Sequence, residues 1–149
     1  MRTYEIRLIE HEVALDYYGA EGKLLHLFQE ARQAQGTFKT IVDQQIQYIS
    51  KSFDPNEIYH KLAISAKFSK GFPFQEGSYG RYIEVRKGKS EARLYIKNDY
   101  MLLQGKGNLS AEMLVFDWLR EIDQTFLAID YERERLGWLT IIRPISLTQ

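Results

Sequence analysis

Three histidines, a run of alternating acids and arginines, and two glycine turns are the places where this chain could do chemistry. His11, His26 and His60 are types that act as general bases or metal ligands, but they lie far apart and none sits in an HExxH spacing. His26 projects from a helix opposite its core face, and all three read as surface or boundary residues. Glu132 and Glu134 alternate with Arg133 and Arg135. Acids and bases interleaved this closely are expected to neutralise one another on a solvated turn and not to form an acid/base pair. Cysteine is absent, which removes thiol nucleophiles, disulfides and cysteine-based metal centres, and fits a reducing compartment. No cofactor and no metal are expected.

The glycine turns raise phosphate binding, because backbone amides at a helix start can cradle pyrophosphate. The helix–meander–helix order is reminiscent of acyl-CoA-dependent N-acetyltransferases, which build such a cradle. Gln33-Ala34-Gln35-Gly36 runs into Thr37 and Phe38, and Gln104-Gly105-Lys106-Gly107 into Asn108 and Leu109. Both put a bulky residue where backbone must approach phosphate. The expectation is an acetyltransferase-like shell without its cofactor loop, with an enzyme holding acyl-CoA in a non-standard way as the alternative. A plainer reading of QGKG is a strand end and a helix entry. Residues 79–97 hold six bases (Arg81, Arg86, Lys87, Lys89, Arg93, Lys97) against two acids, with Tyr79, Tyr82 and Tyr95 between them. A sheet of that kind can stack bases and follow phosphates. Strand tyrosines and turn lysines have commoner uses in packing and edge protection, so direct nucleic-acid binding is not expected.

The elements that must position these residues follow from periodicity. TYEIRLI (3–9) alternates as a strand. Helices are predicted over about 10–18, ending at Gly19, over about 22–34 with Leu24, Leu27, Phe28 and Ala31 on one face, and over about 38–49 with Phe38, Ile41, Val42, Ile46 and Ile49 as the apolar side. Asp54-Pro55 predicts one more short helix. KGFPFQEGSYG (70–80) reads as a loop. Strands at 81–87, 90–97 and 99–105, joined by tight turns, predict an antiparallel meander. Ser110 is expected to cap a helix over 111–122, and 126–131 and 136–142 are predicted strands. The fold class is α+β (α/β), one domain over 1–149, with a mainly antiparallel mixed sheet of about five to six strands flanked by helices.

The 149 residues are 44% hydrophobic, with twenty bases against twenty acids. A chain of that size and content can bury a core, and its zero net charge gives no general pull toward nucleic acid or anionic membrane. The N-terminus has no signal-peptide run, and no apolar run approaches the roughly 20 residues a bilayer needs, so a soluble, cytoplasmic protein is expected.

Two helices carry more apolar surface than one face needs. In EVALDYYG (12–19), with Val13 at 0°, Tyr17 falls at about 40°, Ala14 at about 100°, Tyr18 at about 140° and Leu15 at about 200°. If Ala14, Leu15 and Tyr18 face the sheet, Val13 and Tyr17 point outward together. On the third helix Gln45 falls at about 340° from Phe38, inside the apolar arc, where a buried amide needs a partner. A neighbouring backbone group or a partner protein could supply it. Residues 1–30 hold six acids against three bases, which suits a basic or amphipathic partner surface.

RLIEHEVALDYYG, LLHLFQEA, QIQYIS and FLAIDYERERLGWL, in that order and spacing, resemble the sporulation inhibitor of replication family, SirA, of endospore-forming bacilli. The resemblance runs to about residue 139 and is most specific over 8–31, 45–50 and 126–139. It implies a cytoplasmic, non-enzymatic α/β protein made at the onset of sporulation. It further implies that the chain binds domain I of the replication initiator DnaA, acting as a monomer apart from that partner, and so restrains new rounds of chromosome replication. By the same resemblance the contact residues are Val13, Tyr17 and Gln45, with Tyr18 adjacent. Val13 stands where the family usually has phenylalanine. Ile141 follows Thr140 where the family has proline, so the last strand is expected to run on.

Overall fold

Alternation in the first strand sorts the molecule into two sides. The computed structural model describes residues 1–68, 75–76 and 82–140. In β1 (Arg2–Leu8), Ile6 and Leu8 enter one core, while Glu5 and Arg7 turn to the opposite side and stay only half-buried. Ile9, one step beyond, belongs to a second core on that opposite side.

Five helices and six further strands follow: α1 (His11–Asp16), α2 (Glu21–Gln33), α3 (Gly36–Ile49), α4 (Pro55–Phe68), β2 (Gln75–Glu76), β3 (Tyr82–Lys87), β4 (Ser90–Ile96), β5 (Met101–Lys106), α5 (Ser110–Ile122), β6 (Phe126–Asp130) and β7 (Arg135–Trp138). The strands form one seven-stranded sheet in the order β2-β3-β4-β5-β1-β6-β7, with every pairing antiparallel. Helices α4 and α5 cover one face through Ile58, Leu62, Val115, Trp118 and Leu119. Helices α1 to α3 cover the other face only over β1, β6 and β7, through Ala14, Leu24, Phe28, Val42, Ile46 and Ile49 against Leu127 and Ile129. On that second side β3–β5 stay uncovered, and Tyr82, Arg93, Tyr95 and Gln104 are half-exposed there.

Several elements depart from the sequence reading. Helical bonding in α1 ends at Tyr17, where the Tyr18 N–H turns back to the Leu15 carbonyl (3.2 Å) and Gly19 takes a positive φ of 81°. The helix is therefore six residues long, and Tyr18 leaves the helical wheel. α4 is no short helix but fourteen residues long, started by the Asp54 carboxylate, which accepts from the Asn56 N–H at 2.9 Å. Ser110 does not cap α5. Asn108 Oδ1 accepts from the Ser110 N–H (2.9 Å) and Ser90 Oγ from the Ala111 N–H (2.8 Å), so the helix start is held partly by the β3–β4 hairpin. Gln75–Glu76 pairs with β3, although the stretch reads as a loop; β7 ends at Trp138, short of the expected strand over 136–142, with Leu139 and Thr140 outside it, while 141–142 and the rest of 70–80 lie outside the described residues. No helix among the described residues is long and apolar enough to cross a membrane.

Candidate functional site

The far end of β1 anchors the helices that bear Val13, Tyr17 and Gln45; Val13 and Tyr17, expected to point outward, are half-buried against the second core. The Glu10 N–H donates to the Ile49 carbonyl (2.9 Å) and the Lys51 N–H to the Leu8 carbonyl (2.8 Å), so the end of α3 is hydrogen-bonded alongside the strand that feeds α1. Thr125 Oγ1, just before β6, donates to the Ile9 carbonyl (2.6 Å) and fixes the same point. Ala14, fully buried, seats α1 on the second core.

This arrangement places α1, α2 and α3 around a hollow of about 740 Å³. Val13 and Tyr17 come from α1 and its last turn, His26, Leu27 and Glu30 from α2, and Ile41, Gln45 and Tyr48 from α3. The Tyr17 N–H still donates to the Val13 carbonyl (3.0 Å), so the two side chains remain one turn apart on one side. Of the four residues implied by the resemblance, Val13, Tyr17 and Gln45 meet at this hollow. Tyr18 does not line it. Nor does Tyr18 face the sheet as the wheel predicted: it is 48% exposed, because the chain has left the helix at that residue.

The third helix differs in a way that bears on the site. Val42, Ile46 and Ile49 are buried, but Phe38 and Ile41, expected in the core, are 53% and 47% exposed. With Tyr48 at 83% exposure they form an outer stripe, and Gln45 lies within it. Gln45 is exposed, and its amide makes no hydrogen bond among the described residues. A buried partner inside the fold is therefore not what this amide serves. Sequence reasoning missed Ile41 and Tyr48 as surface residues. The signal was present: positions 38, 41, 45 and 48 repeat at spacings of three and four, the pattern of a second helix face. The hollow's rim is charged by Asp16 and Lys23 and by the pair His26 Nε2–Glu30 Oε1 at 2.7 Å.

The other chemical candidates are not brought together. All three histidines are exposed, and no group of three acidic or histidine ligands able to hold a metal occurs among the described residues. Arg133 and Arg135 do not neutralise Glu132 and Glu134. Both reach the buried Asp130, at 3.1 and 3.7 Å, which the sequence reading had passed over. The QGKG glycines have packing reasons. A Cβ at Gly105 would collide with the carboxylate of the fully buried Glu112, which takes a two-pronged bond from Arg2, and one at Gly107 would fall 2.5 Å from the Lys89 carbonyl. The first amides of α5 are already bonded to Asn108 and Ser90, leaving them unavailable to a pyrophosphate. In the basic meander Glu84 holds Arg86 at 3.1 Å and Arg93 at 3.7 Å, and Tyr82 packs against Tyr95 at 5.4 Å. Two of its six bases are thus paired within the sheet; Tyr79 and Arg81 lie outside the described residues.

A family model described as "Sporulation inhibitor of replication protein SirA" matches residues 2–143. The chain belongs to the SirA family. The sporulation inhibitor of replication protein SirA of Bacillus subtilis (strain 168) is 26% identical to it over 144 residues, covering 95% of each chain. The SirA match spans both faces of the sheet and all three helices around the hollow.

Proposed function

We propose that this chain restrains the initiation of chromosome replication during sporulation by binding domain I of the initiator DnaA through the α1–α3 hollow. The observation that carries the reading is the exposed stripe of α3, where an amide without a partner sits among apolar side chains beside Val13 and Tyr17. Membership of a family named for inhibiting replication supports the direction of the effect. The action is occupancy: Val13, Tyr17 and Gln45 cover a surface of domain I that DnaA or another initiation factor needs at the origin. It requires no catalysis and no cofactor, and it belongs in the cytoplasm, where the initiator works. Tyrosine suits the role, since it joins a large apolar area to a polar tip at low conformational cost.

Calorimetric titration with DnaA domain I from the same organism tests this, with Tyr17→Ala beside the wild type. The expected result is a defined stoichiometry and a loss of about 2 kcal/mol of binding in the variant, or about thirtyfold in Kd. Circular dichroism checks that the variant keeps its fold. No heat and no co-elution at tens of micromolar would overturn the DnaA reading.

A further inference from the structure

On the other flank of α3 a second hollow, of about 720 Å³, lies between α2, α3, β1 and the turn between β4 and β5. Its floor is an arginine contacted by two rings and a carboxylate. Arg7 sits between two aromatic rings, its guanidinium carbon 5.5 Å from the Phe28 centroid and 5.0 Å from that of Tyr100. Its side chain is only 16% exposed. Arg7 Nε donates to Glu5 Oε2 at 2.9 Å, and the same oxygen accepts from the Tyr131 hydroxyl at 2.8 Å. Arg32 in turn covers the Tyr131 ring at 4.2 Å. One edge of the guanidinium is thereby fixed, while its two Nη groups meet no acceptor among the described residues.

An ordered arginine with an unused fork is pre-organised for a planar or tetrahedral oxyanion, because little freedom remains to be lost when the bonds form. The rest of the wall fits a small polar body. Gln47, Ser52 and the Tyr100 ring line the hollow, and its volume lies within the range of small-molecule sites. Lys39 and Lys51 stand at the same hollow, paired at the surface with Asp43 (3.3 Å) and Asp123 (3.4 Å), and Lys39 Nζ also donates to the Ala31 carbonyl (3.3 Å). Such pairs are worth little and exchange readily for a ligand group. Glu5, Glu10, Asp43 and Asp99 set four acids against the four bases Arg7, Arg32, Lys39 and Lys51 around the hollow. The charge of the acids repels a polyphosphate or a nucleic-acid strand and leaves room for a single anionic group.

We propose that this hollow is a binding site for a small polar metabolite bearing one carboxylate or one phosphate, received by the Nη fork of Arg7. The site is separate from the docking face and does not depend on the DnaA reading.

The test is an NMR titration of the 15N-labelled full chain with glycerol 3-phosphate and with glycerate, which carry the two oxyanions on the same kind of body, and with glycerol as the neutral control. The expected result is saturable shifts at the amides of Arg7, Tyr100 and Ser52 with at least one of the two anions and none with glycerol; whichever anion saturates identifies the class. Arg7→Lys keeps the charge but loses the fork and the stacking, and should weaken binding about tenfold or more. Tyr100→Leu, which removes one ring from outside the core, should weaken it too and stands in if Arg7→Lys does not fold. Shifts scattered over surface lysines, no saturation at tens of millimolar with either anion, or equal binding by a folded Arg7→Lys would each overturn the proposal.

Discussion

Replacing Gln45 by alanine separates docking from folding more cleanly than any change at Tyr17. Tyr17 is half-buried against the second core, so its removal costs some packing along with any binding. Gln45 is exposed, in the middle of α3, with no hydrogen bond among the described residues. Alanine is a slightly better helix former, and a surface change of this kind moves stability by no more than about 0.5 kcal/mol. If the amide pairs with DnaA domain I, removing it costs about 0.5–1.5 kcal/mol, the net worth of one hydrogen bond, or up to about tenfold in Kd. Chemical denaturation and calorimetric titration on the same preparation supply both numbers. Binding equal to wild type would remove Gln45 from the docking surface. A loss of stability of several kcal/mol would instead show that the amide is bonded within the protein, and the outer stripe of α3 would have to be redrawn.

Two further predictions concern what holds the scaffold. Gly105→Ala forces the Glu112 carboxylate out of its place and away from Arg2, leaving a charge buried without its partner, which costs about 3–5 kcal/mol; Gly22→Ala, with open space around its Cβ, should leave stability unchanged or slightly raised in the same urea titration. Burial, and then the charge of Glu5, raise the Tyr131 phenol above its usual value of 10.0. The neutral phenol is thus favoured in the fold, so this contribution is complete below pH 10 and declines as pH rises beyond it. Tyr131→Phe should be less stable by about 1 kcal/mol at pH 7 and lose less stability between pH 9 and 11; parallel pH profiles would refute the assignment.

Much of the fold was legible because its signals are local. Alternation in β1 and in the β3–β5 meander, the glycine after α1 and the proline opening α4 each act within a few residues. The failures are cases where a group outside the motif decided the outcome, or where a helix ended before its pattern did. Ser110 looked like a cap, but Asn108 and the hydroxyl of Ser90, twenty residues away, satisfy the start of α5. The arginines of 132–135 looked paired with their neighbours, yet Asp130 collects them, because a buried carboxylate gains more from two guanidiniums than exposed glutamates do. Tyr18 was misplaced by extending a helical wheel past the last helical bond. At the candidate site the resemblance supplied Val13, Tyr17 and Gln45, and periodicity alone marked them as irregular; Ile41 and Tyr48 needed the structure, since exposure depends on how far α2 and the sheet cover α3.

The irregularity of α3 has a single geometric cause. At about 100° per residue, Val42, Ile46 and Ile49 centre near 50° from Phe38, Ile41, Gln45 and Tyr48 near 310°, and Lys39, Asp43 and Gln47 near 140°. Only the first group is buried. The second lines the α1–α3 hollow and the third the polar one, so the helix is a wall with a different solvent face on each side. An apolar arc running from Tyr48 round to Ile46 is too wide for one core contact, and a helix with no second contact would gain nothing from it. The excess fits the proposed docking role of this face. A glutamine in its midst argues against a permanent oligomer interface, which would bury the amide at a cost on both copies, and in favour of a partner that carries the matching polar group.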